Sequence, residues 1–389
     1  MKKIMNYVLV VFTTLIATTF TYGQSKLKPT VAVNGLVQYN MEFHNTGDTT
    51  FAGSEFRKIV MTTHGKIYKN VGYRVQLDFA QGTAALRDVF LKLGNLPYIG
   101  GNLLIGSAIE PTGLDQYTGS VFKTFAERPI MASTQGFRWN SGFFYNNFSL
   151  LNNSLSLQLA YTFNGDKDNG FIDKSLNKGG NFMTRITGTV LKNKEKKQLV
   201  HLGVRYENRK REDGKYVQGF KPEVHMGDKF VFAVPGIDSQ NDYGFELAAK
   251  YGPVSIQGEY EISTYSKGDA NHSLTGYYGY VSFFPTGESR SYKNSIFGMV
   301  VPKKNFCLKD GGFGAIELAI RYSAMDYSNA GSLPKYLGAP IQGDNINGIT
   351  FGLNWYLNSH TRIIYNYLTS QLQTGHRWNM NLVKFQVKF

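Results

Sequence analysis

The sequence predicts an all-β fold, a transmembrane antiparallel β-barrel of sixteen and at most eighteen strands, with one connection folded inward as a constriction. After residue 30, apolar and polar residues alternate with a period of two in segments of about 8 to 12 residues. Aromatic residues make up 14% of the chain, as expected for half-exposed strands and interfacial girdles. Short and long connections alternate, which is typical of an up-and-down barrel.

The alternation is clearest in six segments. In chain order they are GYRVQLDFA at 72–80, LSLQLAYTF at 155–163, VHLGVRYE at 200–207, FELAAKY at 245–251, IELAIRYS at 316–323 and ITFGLNWYL at 349–357. Each segment places aromatic and aliphatic residues on one face and mainly charged, amide or small residues on the other. Helical periodicity is not sustained anywhere after the amino terminus. The nearest stretch, residues 118–129, has room for one or two helical turns.

The connections fall into two classes by length. The short ones lie at 69–70, 251–254 and 357–361, and the long polar ones at 44–55, 164–180, 208–216, 227–241, 265–273 and 327–345. No Pro- or Ser-rich linker and no shift in composition divides the chain. We therefore expect a single barrel domain over residues 24–389.

The amino terminus has the pattern of a cleaved signal peptide at 1–23. Lys2 and Lys3 precede an apolar run and the small residues before Gln24. The run is about 14 residues, shorter than the ~20 that a spanning helix needs. We expect export to the outer membrane of a Gram-negative bacterium. The single cysteine, Cys307, excludes an intramolecular disulfide.

The balance of charge favours anionic partners. The formal net charge is +14, and export argues against nucleic acid as the partner. A barrel of about sixteen strands leaves an aqueous channel, so charged residues on the inward face are expected to face water. Besides the basic residues named below, this inward set includes Asp78, His201, Glu246, Glu259, Glu261 and Lys388.

The last strand, LVKFQVKF at 382–389, explains how the barrel closes. Its two faces are predicted to meet lipid and channel, respectively: Val383, Phe385, Val387 and Phe389 on the first, Lys384 and Lys388 on the second. An open strand edge is not tolerated in lipid. We therefore expect this strand to pair with the first strand, near residues 31–43.

Five stretches in the same order resemble one family, the phosphate-selective porins O and P of Gram-negative outer membranes. They are YKNVGYRVQLDFAQGTAALRDVFLKLG at 68–94, FAERPIM at 125–131, PTGESRSY at 285–292, GAIELAIRYSAMDYSNA at 314–330 and GLNWYLNSHTRIIYNY at 352–367. The resemblance covers most of the chain after the signal peptide and ends on a terminal phenylalanine. Two positions depart from the family pattern, Pro285 for a leucine and Ile316 for a tryptophan.

The resemblance implies a sixteen-stranded homotrimer, embedded in outer-membrane lipid, whose channel passes small anions such as phosphate or polyphosphate. It implies an inward constriction over 109–133 in which Arg128 matches the family's loop arginine. It also implies that Phe389 is the signal read by the barrel assembly machinery. The family's ladder of lumen arginines is not matched, because the inward face here mixes acids with bases.

The predicted mechanism is passive diffusion biased by fixed positive charge, since Arg and Lys raise the local anion concentration and Arg binds oxyanions bidentately. Candidate anion contacts are basic residues of the constriction and the inward strand faces: Lys123, Arg128, Arg74, Arg185, Arg205, Lys250, Arg321, Arg362 and Lys384. No catalytic residue, cofactor or metal is expected.

Three alternatives remain open from the residues alone. Arg128 is equally well explained as the ion-pair partner of Glu127 or of another lumen acid. The segment TGESRSY is explained by a turn at Gly287 in which Glu288 and Arg290 pair. A barrel whose long loops carry an enzymatic or adhesive activity is the second candidate function, although the histidines are scattered and no G-x-S-x-G motif is present.

Overall fold

The computed structural model describes residues 28–45, 50–80, 82–134, 139–163, 180–210, 215–226, 230–268, 270–330, 335–336, 339–340, 345–372 and 377–389. The predicted signal peptide and all but the last residue of the predicted loop 164–180 lie outside these residues. Much of the loop 327–345 also lies outside them. The activities considered for these two loops therefore stay predictions.

The alternating segments form antiparallel strands. In chain order these are β1 (Ala32–Asn45), β2 (Thr50–Lys66), β3 (Val71–Asp78), β4 (Ala85–Gly94), β5 (Asn102–Ile109), β6 (Trp139–Ser149), β7 (Leu155–Phe163), β8 (Gly180–Asn193), β9 (Gln198–Lys210), β10 (Lys215–Phe220), β11 (Phe230–Pro235), β12 (Ser239–Tyr251), β13 (Val254–Lys267), β14 (Ala270–Phe283), β15 (Tyr292–Lys293), β16 (Ile296–Phe297), β17 (Ala315–Asp326), β18 (Lys335–Tyr336), β19 (Ala339–Pro340), β20 (Asn345–Tyr356), β21 (Thr361–Leu372) and β22 (Arg377–Lys388).

Sixteen of these strands close into one barrel, which confirms the predicted fold class and strand number. Its order is β1 to β9, β12 to β14, β17 and β20 to β22. The remaining strands form a four-stranded sheet, β10-β11-β18-β19, and the hairpin β15-β16. Helices are short: Leu114–Tyr117, Ile130–Thr134, Leu150–Asn153 and a 3₁₀ turn at Ser120–Phe122. In the part of the chain that is described, no helix is long and apolar enough to span a membrane.

The seam of the barrel joins the last strand to the first, as predicted. β22 pairs with β1 in a register that sets Phe385 opposite Tyr39. Beyond it, the Phe389 carbonyl accepts from the Gly35 amide at 2.7 Å. A Cβ at Gly35 would lie 2.1 Å from the Phe389 ring, so a larger residue there would displace this ring from its present position. Phe385, Val387 and Phe389 are exposed on the outer surface, while Lys384 is buried inside.

The two ends of the barrel differ in their connections. The short turns lie at the end that carries the last residue, and such turns mark the periplasmic end of outer-membrane barrels. One periplasmic connection is long: residues 284–314, between β14 and β17, which include the hairpin β15-β16. We call residues 284–314 the periplasmic segment. The sequence predicted only a strand–turn–strand corner here.

In the part of the chain that the structure describes, three connections fold into the barrel. The constriction segment, residues 110–134, and residues 220–226 enter from the extracellular end, and the periplasmic segment enters from the other. Residues 220–226 are fixed through Glu223, which accepts hydrogen bonds from Arg321, Ser323 and Thr350 on the inner wall. A cluster of buried apolar side chains, including Phe125, Met131, Phe230 and Trp378, packs between wall and segments. The lumen is therefore largely filled by the chain itself.

Candidate permeation site

The constriction segment is anchored at its first helical turn. The amides of Leu114 and Asp115 donate to the Glu259 carboxylate at 2.8 and 2.6 Å. Gly113 precedes them with φ 131°, in the left-handed region that favours glycine. A Cβ there would lie 2.5 Å from Glu259 Oε2. Glu259, on the inward face of β13, therefore fixes where the constriction segment crosses the lumen.

Beyond this turn, the inner wall holds the backbone of the constriction segment from several directions. Wall and periplasmic-segment side chains donate to successive carbonyls: Gln386 to Val121, Arg290 to Phe122, Arg362 to Lys123, Asn354 to Thr124, Lys384 to Ala126 and Arg321 to Glu127. Charged donors make hydrogen bonds about twice as strong as neutral ones. Arg321, Arg362 and Lys384 thus help to position the constriction segment.

Within the segment, Lys123 and Arg128 share one acid. Lys123 forms an ion pair with Asp115, and Arg128 Nη1 lies 2.9 Å from Asp115 Oδ1. Although burial opposes ionisation, these two cations hold the pKa of the Asp115 carboxyl below its usual value. The alternative in which Arg128 pairs with a lumen acid therefore fits the structure, with Asp115 as the acid. Glu127 instead pairs with Arg57 at 3.0 Å and Lys384 at 3.1 Å.

Most arginines of the lumen, on the strands and in the periplasmic segment, are buried in ion pairs. The pairs are Arg185 with Glu246, Arg205 with Glu207 and Glu261, Arg209 with Glu110 and Glu207, Arg290 with Glu317, and Arg321 with Glu223. In each of these arginines the side chain is at most 3% exposed. The expectation that Arg185, Arg205 and Arg321 face open water is wrong, because acids of the same strand, of the second strand along the wall and of an inward segment cover them.

Of the remaining predicted contacts, Arg362 and Lys384 are also buried, and Lys250 is half-buried at the periplasmic mouth, where it donates to the Arg290 carbonyl. The expectation of open water is therefore wrong for Arg362 and Lys384 as well. The inward acids Asp78, Glu246, Glu259 and Glu261 and the ring of His201 are likewise buried rather than in open water. Inward segments and cross-strand partners occupy the space that water was expected to fill.

The predicted pair in TGESRSY is also wrong. Arg290 Nη2 lies 2.7 Å from Glu317 Oε1 on β17. Glu288 instead accepts from the Thr286 hydroxyl and from the Lys303 amide. The predicted turn at Gly287 is present, with φ 81°. The sequence could not assign Glu317 as the partner of Arg290, because the periplasmic segment leaves the wall and enters the lumen.

One part of the inner wall is different: charged side chains of β2, β3 and β4 remain open to water. The side chains of Arg74, Arg87 and Arg57 are 40%, 30% and 25% exposed. Their acids are Asp88, Asp78 and Glu127, respectively, at 3.0 to 3.3 Å. We call this region, together with Lys58, the basic wall.

Trp139 of β6, two strands along the wall from β4, contacts the basic wall. Its Nε1 donates to Asp88 Oδ1 at 2.8 Å. The Arg87 guanidinium lies 4.7 Å from the ring centroid and the Lys58 ammonium 5.9 Å. Strands β3 to β5 separate Lys58 from Trp139 along the wall. The contact between Lys58 and Trp139 is therefore made through the lumen, on the inner side of these three strands. These cation–π contacts hold two cations that keep part of their hydration.

Sequence reasoning found Arg74 but missed Arg57, Lys58 and Arg87. Two β-bulges explain the omission. Lys58 pairs with Gln38 and Phe56 with Tyr39, which leaves Arg57 as the extra residue. Arg87 and Asp88 together lie opposite Gln76. A bulge shifts the alternation by one residue, so neighbours such as Arg57 and Lys58 both reach the lumen. The basic doublet in β2 was the available signal.

Substitution of Lys123 by glutamine is expected to leave ion selectivity unchanged. The ammonium is buried, and Asp115 retains Arg128 as its partner after the change. The measurement is the reversal potential of the variant in a planar bilayer under a KCl gradient. A marked fall in anion preference would contradict the burial of Lys123 and restore it as a pore contact.

A closed sixteen-strand barrel with a charged lumen and an inward-folded constriction segment defines an outer-membrane porin. The family model for phosphate-selective porin O and P matches residues 31–387, and the chain belongs to this family. Family and fold are those of a channel rather than of an enzyme.

Two relatives are similar to the chain over most of its length. Porin O of Pseudomonas aeruginosa is 24% identical over 360 residues, which cover 85% of this chain and 79% of that protein. An uncharacterised protein of Caulobacter vibrioides is 23% identical over 340 residues, covering 81% of this chain and 62% of that protein. The chain therefore spans less than two thirds of the Caulobacter protein.

Solved structures support the fold. The anion-selective porin of Comamonas acidovorans has a TM-score of 0.57 at 15% identity, covering 93% of this chain and 100% of that chain. The trimer form of OmpT from Vibrio cholerae has a TM-score of 0.52 at 10% identity, with the same coverage of both chains. At these identities the likeness concerns architecture alone.

Proposed function

We propose that the protein is a diffusion porin with a preference for small anions, phosphate-like oxyanions among them. The observation that carries the proposal is the exposed basic wall. The cations Arg57, Lys58, Arg74 and Arg87 meet the carboxylates Asp78, Asp88 and Glu127. Among these groups, four positive charges against three negative charges leave an excess of one where the lumen is open to water.

The arrangement of the basic wall suits passage rather than retention. Arg57, Arg74 and Arg87 each keep an acid partner, so an anion competes with a carboxylate and is released readily. Conduction needs sites weak enough to let the ion leave. Partial exposure adds screening by water and salt. The buried Arg–Glu pairs elsewhere in the lumen hold five arginines against six glutamates, so they add no excess of positive charge to the bias.

Phosphate preference rests on the family and on the chemistry of the exposed arginines, which bind oxyanions bidentately. The porin of Comamonas acidovorans, which has the same barrel architecture, is anion-selective. Within the basic wall, the carboxylates of Asp78 and Asp88 repel an anion that carries more than one negative charge. We therefore expect inorganic phosphate to pass, and pyrophosphate and sulfate to compete with chloride at higher concentration.

The test is electrical. Full-length protein, processed and purified from outer membranes, is inserted into planar bilayers, and reversal potentials are measured across a KCl gradient. We expect an anion-selective potential, and a chloride current that phosphate, pyrophosphate and sulfate reduce in a concentration-dependent way. A cation-selective potential, or the lack of any channel, contradicts the proposal.

We also propose a homotrimer in the outer membrane, for which the trimer form of Vibrio cholerae OmpT offers an architectural parallel. Heat-modifiable migration on gels, with a trimer band that collapses on boiling, is the expected result. Recognition of Phe389 by the assembly machinery stays a prediction. The exposed position of Phe389 at the end of the seam is compatible with it.

A further inference from the structure

The turn between β8 and β9, at the periplasmic end, carries four lysines within six residues. They are Lys192, Lys194, Lys196 and Lys197, and Glu195 is the single acid among them. All five side chains are exposed. In the described part of the chain none of the four lysines takes part in an ion pair. Two local hydrogen bonds hold the turn: Lys197 N donates to Lys194 O at 3.2 Å, and Lys196 N donates to the side-chain oxygen Oδ1 of Asn193 at 2.9 Å.

Exposed apolar residues surround these lysines. Leu151, Val190, Leu191 and Tyr251 are between 47% and 72% exposed. Hydrogen bonds between strands keep the three turns together: Thr189 N donates to Ser154 O at 2.8 Å, and Gly252 N donates to Lys197 O at 3.3 Å. The apolar side chains and the lysines therefore form one patch, which we call the basic turn.

The apolar part of the basic turn continues the lipid-facing surface. Leu191 pairs with Val200, on the outward face of β9 that also carries Leu202. Tyr251 lies on the outward face of β12 with Phe245 and Leu247, both exposed. A bulge between Thr189 and Leu191 adds Val190 to this edge. The lysines thus lie just beyond the periplasmic edge of the lipid-facing band.

We propose that the basic turn binds the headgroup of an acidic glycerophospholipid from the inner leaflet of the outer membrane. A Lys ammonium is a compact point charge suited to a phosphodiester, and clustered lysines beside a membrane segment attract anionic lipids. Leu191, Tyr251 and Val190 provide the surface for the glycerol and first acyl carbons. A soluble anion uses the lysines but has no use for this apolar edge, and the site is independent of permeation.

The first test removes the four charges. In the test variant, glutamine replaces Lys192, Lys194, Lys196 and Lys197. In the matched control, glutamine replaces Lys66, Lys69, Lys293 and Lys309. The control lysines are also exposed at the periplasmic end. Both proteins are placed in vesicles of phosphatidylglycerol and phosphatidylcholine in equal amounts. Retained phosphatidylglycerol is then counted by native mass spectrometry after extraction.

Each lysine near an anionic surface contributes about 1 kcal/mol to lipid binding. Removing several of these charges therefore corresponds to at least about a tenfold loss of retained phosphatidylglycerol. The control variant should change by less than about twofold on the same scale. Equal losses in both variants overturn the proposal, because they indicate a general charge effect. Full retention in the first variant overturns it too. Heat-modifiable migration confirms that each variant is folded.

Two further arms separate the sources of the phosphate group. Glycerol 3-phosphate and inorganic phosphate, added at millimolar concentration, should leave retained phosphatidylglycerol unchanged. Displacement by either compound would overturn the lipid assignment in favour of a soluble anion. The variant with Val190 and Leu191 changed to asparagine keeps every charge and should still lose retained lipid. Co-sedimentation with purified peptidoglycan that depends on the four lysines, without any change in lipid retention, would also overturn it.

Discussion

Replacing both Arg74 and Arg87 by glutamine is expected to remove most of the anion preference of the channel. The change takes two of the four positive charges from the basic wall and leaves two cations, Arg57 and Lys58, against the three carboxylates of Asp78, Asp88 and Glu127. Near an ion about 6 Å away, each charge contributes about 0.7 kcal/mol in water. With screening at 0.1 M salt, we expect the ratio of anion to cation permeability to fall about tenfold.

The salt dependence adds a second readout to this test. At 1 M salt the Debye length shrinks to about 3 Å, and the same double substitution should change the permeability ratio only about twofold. Reversal potentials at both concentrations check this. The matched control changes Lys66 and Lys69, which are exposed at the periplasmic end, to glutamine. A double variant that keeps wild-type selectivity at low salt would show that ions pass elsewhere in the barrel.

The barrel itself was predictable because alternation is a local property. Each strand must put apolar residues toward lipid and polar residues toward the interior, so Val383, Phe385 and Lys384 reveal their faces from the sequence alone. Closure of the barrel also followed, since an unpaired edge is not tolerated in the membrane. These inferences need no knowledge of which strands are neighbours, apart from the first and the last.

The exposure of the lumen side chains to water was not predictable, because it depends on contacts between residues that are distant in the sequence. Arg185 is covered by Glu246, 61 positions away, and by the Ser295 carbonyl from the periplasmic segment. Alternation reports that Arg185 points inward, but it carries no information about what lies in front of it. The inward path of the periplasmic segment was equally hidden, because PTGESRSY has the composition of an ordinary turn.

The bulges limited the prediction in a different way. They put Arg57 next to Lys58, and Arg87 next to Asp88, on the side of the lumen, so a strict period of two misplaces one residue of each pair. Three of the basic residues that the sequence assigned to anions, Arg321, Arg362 and Lys384, hold the constriction segment. Arg321 and Arg362 each donate to one of its carbonyls. Fixed positive charge therefore has two roles here, positioning inside the filled lumen and attraction along the basic wall.

Substitution of Arg290 by alanine is expected to open the constriction and to destabilise the barrel. Arg290 is buried and lies in the periplasmic segment, where it donates to the Phe122 carbonyl at 3.0 Å and to Glu317 at 2.7 Å. Removing one partner of a buried ion pair costs about 3 to 5 kcal/mol. We expect a lower unfolding temperature and a larger single-channel conductance, since the periplasmic segment loses this hold on the constriction segment. Lys293 to alanine, an exposed change in the same segment, is the control and should alter neither property.

A second variant separates stability from the size of the opening. Changing Arg290 to methionine and Glu317 to leucine together replaces the buried pair by apolar residues of similar volume, a change that is often neutral or stabilising. The hydrogen bond to the Phe122 carbonyl is still absent in this variant. We therefore expect the unfolding temperature to recover while the conductance stays high. If the conductance returns to the wild-type value with the stability, Arg290 acts through the fold as a whole and has no specific hold on the constriction segment.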